Sequence, residues 1–315
     1  METNTSKDNN TSIEDDDDEL DLIKLVATNA NDSNQYLVFV GSNNELYAKN
    51  VSKIEELVVY RDLTITKNSD KSSIIIGTAD IRGQMTTIVN FDAWMGNDLL
   101  DEEKYELLII ANYGNRRFAI VVRSVEQITT IEPSEMTDNS SDNNKATFIT
   151  KIAIAGIERL CTIFDGDKML LDIYDDTQTQ LDLASAKINA TSSDKMVLFA
   201  DDSKFVRQLV GTLLDKMQLR HKLYHDGLDM VKDLEKLDSN DVGLIITDLE
   251  MPKMGGREVI DHIRKIDEYK DVNIIVHTNM SNNITSNELL NLGTSKIIGK
   301  IDMNELSSSI NELIR

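Results

Sequence analysis

Five polar residues stand where apolar runs stop in the C-terminal part of this 315-residue chain. MVLFA is followed by Asp201 and Asp202, and GLIIT by Asp248; NIIVH ends in Thr278, and KIIG runs into Lys300. An ionised carboxylate at the end of a buried run is costly unless something compensates it. Three clustered carboxylates repel, and one is driven towards protonation. A divalent cation relieves that repulsion, and Mg²⁺ prefers oxygen ligands and keeps waters that a phosphate can replace. Such a set suits attack of a carboxylate on phosphorus while metal, hydroxyl and ammonium neutralise the phosphoryl oxygens. Asp248 is then the expected phosphoacceptor. Asp201 and Asp202 are expected to hold Mg²⁺, together with Asp248 and the backbone carbonyl of Glu250. Thr278 is expected to donate to one phosphoryl oxygen and Lys300 to pair with another. Singly, each has a plainer reading: Asp201-Asp202-Ser203 could open a helix, and a Thr or Lys at a strand end is commonly just solvated. Together they form a set that is hard to dismiss.

Convergence needs a scaffold, and the flanking sequence supplies one. After Met196, apolar runs of strand length alternate five times with amphipathic stretches such as SKFVRQLVGTLLDKMQ and REVIDHIRKI. Phe205, Leu209, Leu213 and Met217 fall on one helical face. This alternation predicts a parallel sheet with helices on both faces. Right-handed crossovers then put all strand ends at one edge, where ligands bind in such sheets.

Residues 195–315 resemble a response-regulator receiver domain. The resemblance rests on Asp201-Asp202, on Asp248 with Met251-Pro252 and Gly255-Gly256 after it, and on Thr278 and Lys300 at the family's spacings of 30 and 52 residues beyond Asp248. It implies a doubly wound (βα)5 fold, Mg²⁺ dependence, phosphoryl transfer from a sensor kinase's phosphohistidine, and slow self-hydrolysis. Two positions depart from the family. Ile297 replaces the frequent aromatic switch residue, and Asn279 stands where Ala is common after the hydroxyl residue.

Residues 35–182 have a different texture. Short branched and aromatic runs recur, among them QYLVFVG, ELVVY, SSIIIGTA, TTIVNF, ELLIIANY, RFAIVV, RLCTIF and KMLLDI, with turn signals between them. All-β packing is expected. A polar insertion at 134–146 reads as a long loop. All four histidines lie outside this region, Cys161 sits in an apolar run as a core thiol, and Asp165-Gly166-Asp167 reads as a turn. Without a polar constellation, the region is expected to be a binding module. IIIGTADIRGQMTTIVNFDAWMG, with Asp80, Arg82 and Gly83, is similar to the strand–turn–strand segment of CheW-like domains. That resemblance implies two small five-stranded barrels. It also implies docking to chemoreceptor signalling domains and to the histidine kinase CheA, with Arg82 as the candidate partner-binding residue. The order CheW-like domain, linker (183–194), receiver resembles a CheV-type coupling protein.

Composition narrows the function. Asp and Glu total 55 against 33 Lys and Arg, a formal charge of −22, which argues against nucleic acid or an anionic membrane as partner. The single cysteine forms no internal disulfide and fits a reducing cytoplasm. No run of transmembrane length is present. Residues 1–34 read as an acidic, disordered tail. The expected function is a chemotaxis scaffold at receptor arrays, regulated by receiver phosphorylation and not itself a turnover enzyme. The alternative is a metal-dependent aspartyl-phosphate phosphohydrolase, for which Glu250 is the nearest candidate general acid.

Overall fold

The computed structural model describes residues 34–68, 74–113, 116–138, 145–174, 193–279, 283–300 and 302–314. The acidic tail, most of the linker and the centre of the 134–146 insertion lie outside the described residues.

The N-terminal region contains β1 (Gln35–Val40), β2 (Leu46–Asn50), β3 (Ile54–Val59), β4 (Ile65–Lys67), β5 (Ile75–Ile81) and β6 (Gln84–Asn90). Helix α1 (Phe91–Met95) follows, then β7 (Leu107–Tyr113), β8 (Arg116–Val122), β9 (Ser124–Thr130), β10 (Thr137–Asp138), β11 (Ala146–Ile154) and β12 (Ile157–Phe164). Helix α2 (Gly166–Ile173) ends the region. The strands form two six-stranded sheets, in the orders β10-β11-β12-β2-β1-β9 and β3-β7-β8-β6-β5-β4. Each has five longer strands, as the resemblance implies, plus one short edge strand, β10 or β4.

The near-continuous apolar runs have a packing reason. In β1, Leu37 and Phe39 point into a core shared by both sheets, while Tyr36, Val38 and Val40 point into a cluster private to their own sheet. The second sheet likewise keeps its own cluster around Ile88, Leu108 and Val121. Burial on both faces removes the polar half of the usual alternation. Aromatic edges fill the shared core, with Phe91 edge-on to Phe39 at 4.8 Å and to Phe164 at 5.3 Å between ring centres. Cys161 is fully buried not in that shared core but in its sheet's own cluster, and burial pushes its thiol up to about 12.

One element differs from expectation. KMLLDI is not a strand but most of helix α2. Asp165 caps it, accepting from the Lys168 N–H at 3.1 Å. Met169, Leu170 and Ile173 then share the face turned to the CheW-like core. The run is too short for its period to be read without its cap.

The C-terminal region alternates β13 (Met196–Ala200), α3 (Lys204–Lys216), β14 (Arg220–Tyr224), α4 (Gly227–Leu234), β15 (Val242–Thr247), α5 (Gly256–Arg264), β16 (Asn273–Thr278), α6 (Asn283–Asn291), β17 (Lys296–Gly299) and α7 (Met303–Leu313). The sheet is parallel throughout, in the order β14-β13-β15-β16-β17. That is the flavodoxin-like winding, whose ligand crevice opens between β13 and β15. Helices α3 and α7 cover one face, and α4, α5 and α6 the other.

The glycine pair after Pro252 has a steric role. A Cβ on Gly256 would lie 2.2 Å from the Asp248 carbonyl oxygen, and one on Gly255 2.8 Å from that of Leu249. Helix α5 therefore starts against the backbone that carries Asp248. Gly256→Ala is expected to destabilise the fold by roughly 1–3 kcal/mol through this overpacking, read as a lowered urea midpoint. An unchanged midpoint would show that the close approach is not needed.

Candidate functional site

The strand ends deliver their residues to one place. Asp201 and Asp202 follow β13, Asp248 follows β15, Thr278 ends β16 and Lys300 follows β17. Register helps: the Asp248 N–H donates to the Ala200 carbonyl at 2.9 Å, and the Lys300 N–H to the Thr278 carbonyl at 3.2 Å. Lys300 Nζ lies 2.9 Å from Asp248 Oδ2 and 3.1 Å from Asp201 Oδ2. Asp201 and Asp248 have no exposed surface, and Thr278 and Lys300 are buried.

Each side chain is held by its surroundings. Asp248 Oδ1 accepts from the Leu249 N–H at 2.7 Å, which leaves Oδ2 turned to the ammonium. Asp201 Oδ1 accepts from the Ser203 N–H at 2.9 Å. Ser203 caps α3 through the Val206 N–H at 3.1 Å. Arg207, which carries no motif signal, donates to the carbonyls of Asp201 and Asp202 at 2.6 and 2.9 Å and pins the turn between them. Glu250 is at the site's rim, its side chain ion-paired with Lys53 of the N-terminal region.

A fourth carboxylate enters from outside the receiver sheet. Asp167, in the first turn of α2, has Oδ2 3.0 Å from Lys300 Nζ and Oδ1 2.6 Å from the Asn279 side-chain nitrogen. Next to it, Asp165 Oδ2 accepts from Ser203 Oγ at 2.9 Å, so the caps of α2 and α3 are joined. The D-G-D segment read as a turn is therefore part of this site. Asp before Gly-Asp-Lys is a legible helix-start signal. Nothing local in it points to a partner more than thirty residues away. Gly166 is required by packing within the N-terminal region, since a Cβ there would meet the Tyr113 hydroxyl at 1.7 Å. A cleft of about 700 Å³ runs beside these residues, lined by Lys49, Lys53, Asp165, Asp167, Asp202 and Glu250 among others.

The electrostatics follow from too many buried carboxylates. Burial, with Asp248 and Asp167 nearby, pushes Asp201 well above the usual carboxylate range despite Lys300. Asp202 is raised to about 6, first by burial and then by Asp248. Burial would lift Asp167 as well, but Lys300, Lys53 and Lys49 outweigh it and hold that carboxyl low. Burial would lower Lys300, but its carboxylate neighbours hold it well above the ordinary lysine value. Asp167, Asp201 and Asp202 each offer an oxygen within 4.8 Å of the others'. Crowded hard oxygens with a raised Asp202 fit a divalent cation such as Mg²⁺.

Arg82 lies apart from this cluster, in the β5–β6 turn of the other sheet. Arg82 and Gly83 both have positive φ, 54° and 81°, as a two-residue type I′ hairpin turn demands. The Arg82 side chain is 76% exposed and pairs with Glu56 at 2.9 Å. No helix among the described residues is long and apolar enough to cross a membrane.

Comparison with known proteins agrees with this division. Residues 35–173 match the CheW-like domain model and residues 197–311 the response regulator receiver domain model. Chemotaxis protein CheV2 of Helicobacter pylori is 25% identical over 276 residues, covering 83% of this chain and 88% of that protein. Chemotaxis protein CheV1 of the same organism is 26% identical over 313 residues, covering 92% and 96%. Chemotaxis protein CheY1, also of Helicobacter pylori, is 33% identical over 86 residues, covering 26% of this chain and 65% of that protein.

The raised Asp202 makes a pH prediction for the metal-free protein. Its carboxyl moves from 3.8 unfolded to about 6 folded. Between those values the folded state binds more protons, so this contribution is full below 3.8 and is lost as pH rises through about 6. His277 opposes it. Burial and Lys300 lower His277 from 6.5 to about 4, which removes stability as pH falls through that range. Asp202→Asn cancels only the first effect. In chelator, its urea midpoint is expected to exceed wild type at pH 7.5, with the gap narrowing by pH 5. A gap that does not change with pH would contradict the shift.

Proposed function

The chain belongs to the CheV-type family, a CheW-like domain joined to a receiver domain, and from that premise we propose that it is a chemotaxis adaptor controlled by Mg²⁺-dependent phosphorylation of Asp248. The CheW-like domain would couple chemoreceptor signalling domains to the histidine kinase CheA at receptor arrays. The observation that carries the regulatory part is Lys300, which lies within ion-pair distance of both Asp201 and Asp248 at the carboxyl edge of the sheet.

The chemistry follows from the two oxygens of Asp248. Oδ1 is engaged by a backbone N–H, so Oδ2 is the attacking atom. Its lone pair forms the P–O bond as the P–N bond of a phosphohistidine breaks. The imidazole, protonated on its other ring nitrogen, leaves with the electron pair of that bond and so ends as the neutral ring. Lys300 pairs with one oxygen of the transferred group, and Thr278 donates its hydroxyl proton to another. Asp201, Asp202, Asp248 and the Glu250 carbonyl would hold Mg²⁺, which when bound neutralises charge on the phosphoryl oxygens. The hydrolase alternative loses support at Glu250, because its side chain is tied to Lys53 instead of standing free as a general acid. Arg82, exposed on a rigid turn, is the proposed contact to receptor or kinase.

Incubation with phosphorylated CheA and Mg²⁺ tests this. Wild type is expected to take up label, and Asp248→Asn to remain at background while keeping its fold. Label on the Asn variant would refute the assignment. Mg²⁺ is also expected to raise the melting temperature of wild type by binding the native state, and less so for Asp201→Asn. Arg82→Ala is expected to weaken binding to a receptor–kinase fragment by roughly 1–2 kcal/mol, with Asp248 labelling unchanged.

A further inference from the structure

The proposed acceptor is out of reach in this conformation. Asp248 has no exposed surface, and phosphoryl transfer needs the donor phosphorus to approach its oxygen to about 3–3.5 Å. The ammonium that pairs with Asp248 is also held by a residue of the N-terminal region. Asp167 reaches over from α2 and takes the Lys300 ammonium with one oxygen and the Asn279 amide with the other. Its oxygen also lies within 4.8 Å of those of Asp201 and Asp202. Two of these are groups that a phosphoryl group on Asp248 would need: the ammonium, and the carboxylate pair that would hold the metal.

We propose that Asp167 is a built-in stand-in for the phosphoryl group, latching α2 over the unphosphorylated receiver, so that docking of α2 and phosphorylation of Asp248 exclude each other. The inference rests on Asp248 being the acceptor.

Three features support a latch and not an incidental contact. Helix α2 has two working faces. Met169, Leu170 and Ile173 belong to the CheW-like core, while Leu171 packs with Phe205 and Leu209 in the receiver core. Asp167 and Leu171 are four residues apart and so share the receiver face. Lys168 adds a cationic contact over the Phe205 ring, 5.1 Å from its centre, and Asp165 bonds Ser203. The docking is thus specific in register and places one carboxylate in the anion position. Asn279 also acquires a role: an alanine there could not bond Asp167.

The conflict on phosphorylation is electrostatic and steric. A phosphoryl group carries about two negative charges and claims the same ammonium. Asp167 would then face it at close range, in a buried setting where like charges repel strongly. Undocking relieves that repulsion and frees the receiver face of α2 and the surface it covers. Linkage makes the effect reciprocal. Any partner of the CheW-like domain that favours the undocked form would favour phosphorylation by the same factor.

The test uses the full chain with phosphoramidate and Mg²⁺, following Asp248 labelling by phosphate-affinity electrophoresis and mass spectrometry. Wild type, Asp248→Asn, Asp167→Ala and Leu171→Glu are compared, with Asp167→Asn as a conservative substitute should either latch variant lose its fold. If the reactive form is the undocked fraction, releasing the latch raises the rate by the gain in that fraction, on the order of tenfold. Leu171→Glu matters because it opens the interface without touching the site. A gain in Asp167→Ala alone would mean simple charge removal and would overturn the latch. In wild type, hydrogen exchange across 166–173 is expected to speed up about tenfold when beryllium fluoride occupies Asp248, and not in Asp248→Asn. Equal labelling of Asp248 in wild type and both latch variants, or unchanged protection of α2 with the fluoride bound, overturns the proposal. Label absent throughout, or persisting in Asp248→Asn, instead defeats the acceptor assignment, and the latch falls with it.

Discussion

The structure turns on one ammonium among buried carboxylates. Lys300 touches Asp201 and Asp248 from its own domain and Asp167 from the other. Burying an unpaired carboxylate is costly, and all three share that cation. Three acids at the sheet edge, Asp201, Asp202 and Asp248, leave an excess of negative charge around that one ammonium. A fourth acid brought in from α2 is tolerated only because Lys300, Lys53 and Lys49 hold it low. The site's charge balance is therefore shared between two domains, and neither can change it alone.

Helix α2 is the mechanical counterpart of that shared charge. It is the last element of the CheW-like region and the first to reach the receiver. One face closes a β core and the other completes a helix-and-sheet core. Asp165 joins the caps of α2 and α3 by bonding both the Lys168 N–H and the Ser203 hydroxyl. The pairs Lys53–Glu250 and His225 against Phe148 extend the contact across the cleft. Ile297, which stands where an aromatic switch is common, is partly buried and packs against the core cluster that α4, α5 and α6 cover. The contact through Asp167 offers a route for signalling that needs no rotating ring.

Much of this was legible along the chain. The five receiver residues could be read because each ends an apolar run, and because parallel crossovers oblige those ends to meet. Recurring short branched and aromatic runs marked out the N-terminal region, strand-length runs alternating with amphipathic stretches marked out the C-terminal one, and the Arg82-Gly83 turn could be read from its glycine. The missed element was KMLLDI, whose composition suits a strand as well as a helix. Its cap residue and the surface it lies on decided between them. Arg207 and Asn279 carried no signal, since a polar residue on a helix or after a strand is ordinary until its partner is known.

The sequence by itself determined the fold class, the order of the two domains and the convergence of Asp201, Asp202, Asp248, Thr278 and Lys300. Those properties come from local period and from the handedness of crossovers, which hold whatever the chain's other half does. Only the tertiary structure decided that Asp167 and Asp165 reach the same site, that Asn279 bonds one of them, and that Asp248 has no exposed surface. These contacts join residues separated by 38 to 133 positions. They arise from the fit of two folded surfaces, and no period or spacing within either domain encodes that fit.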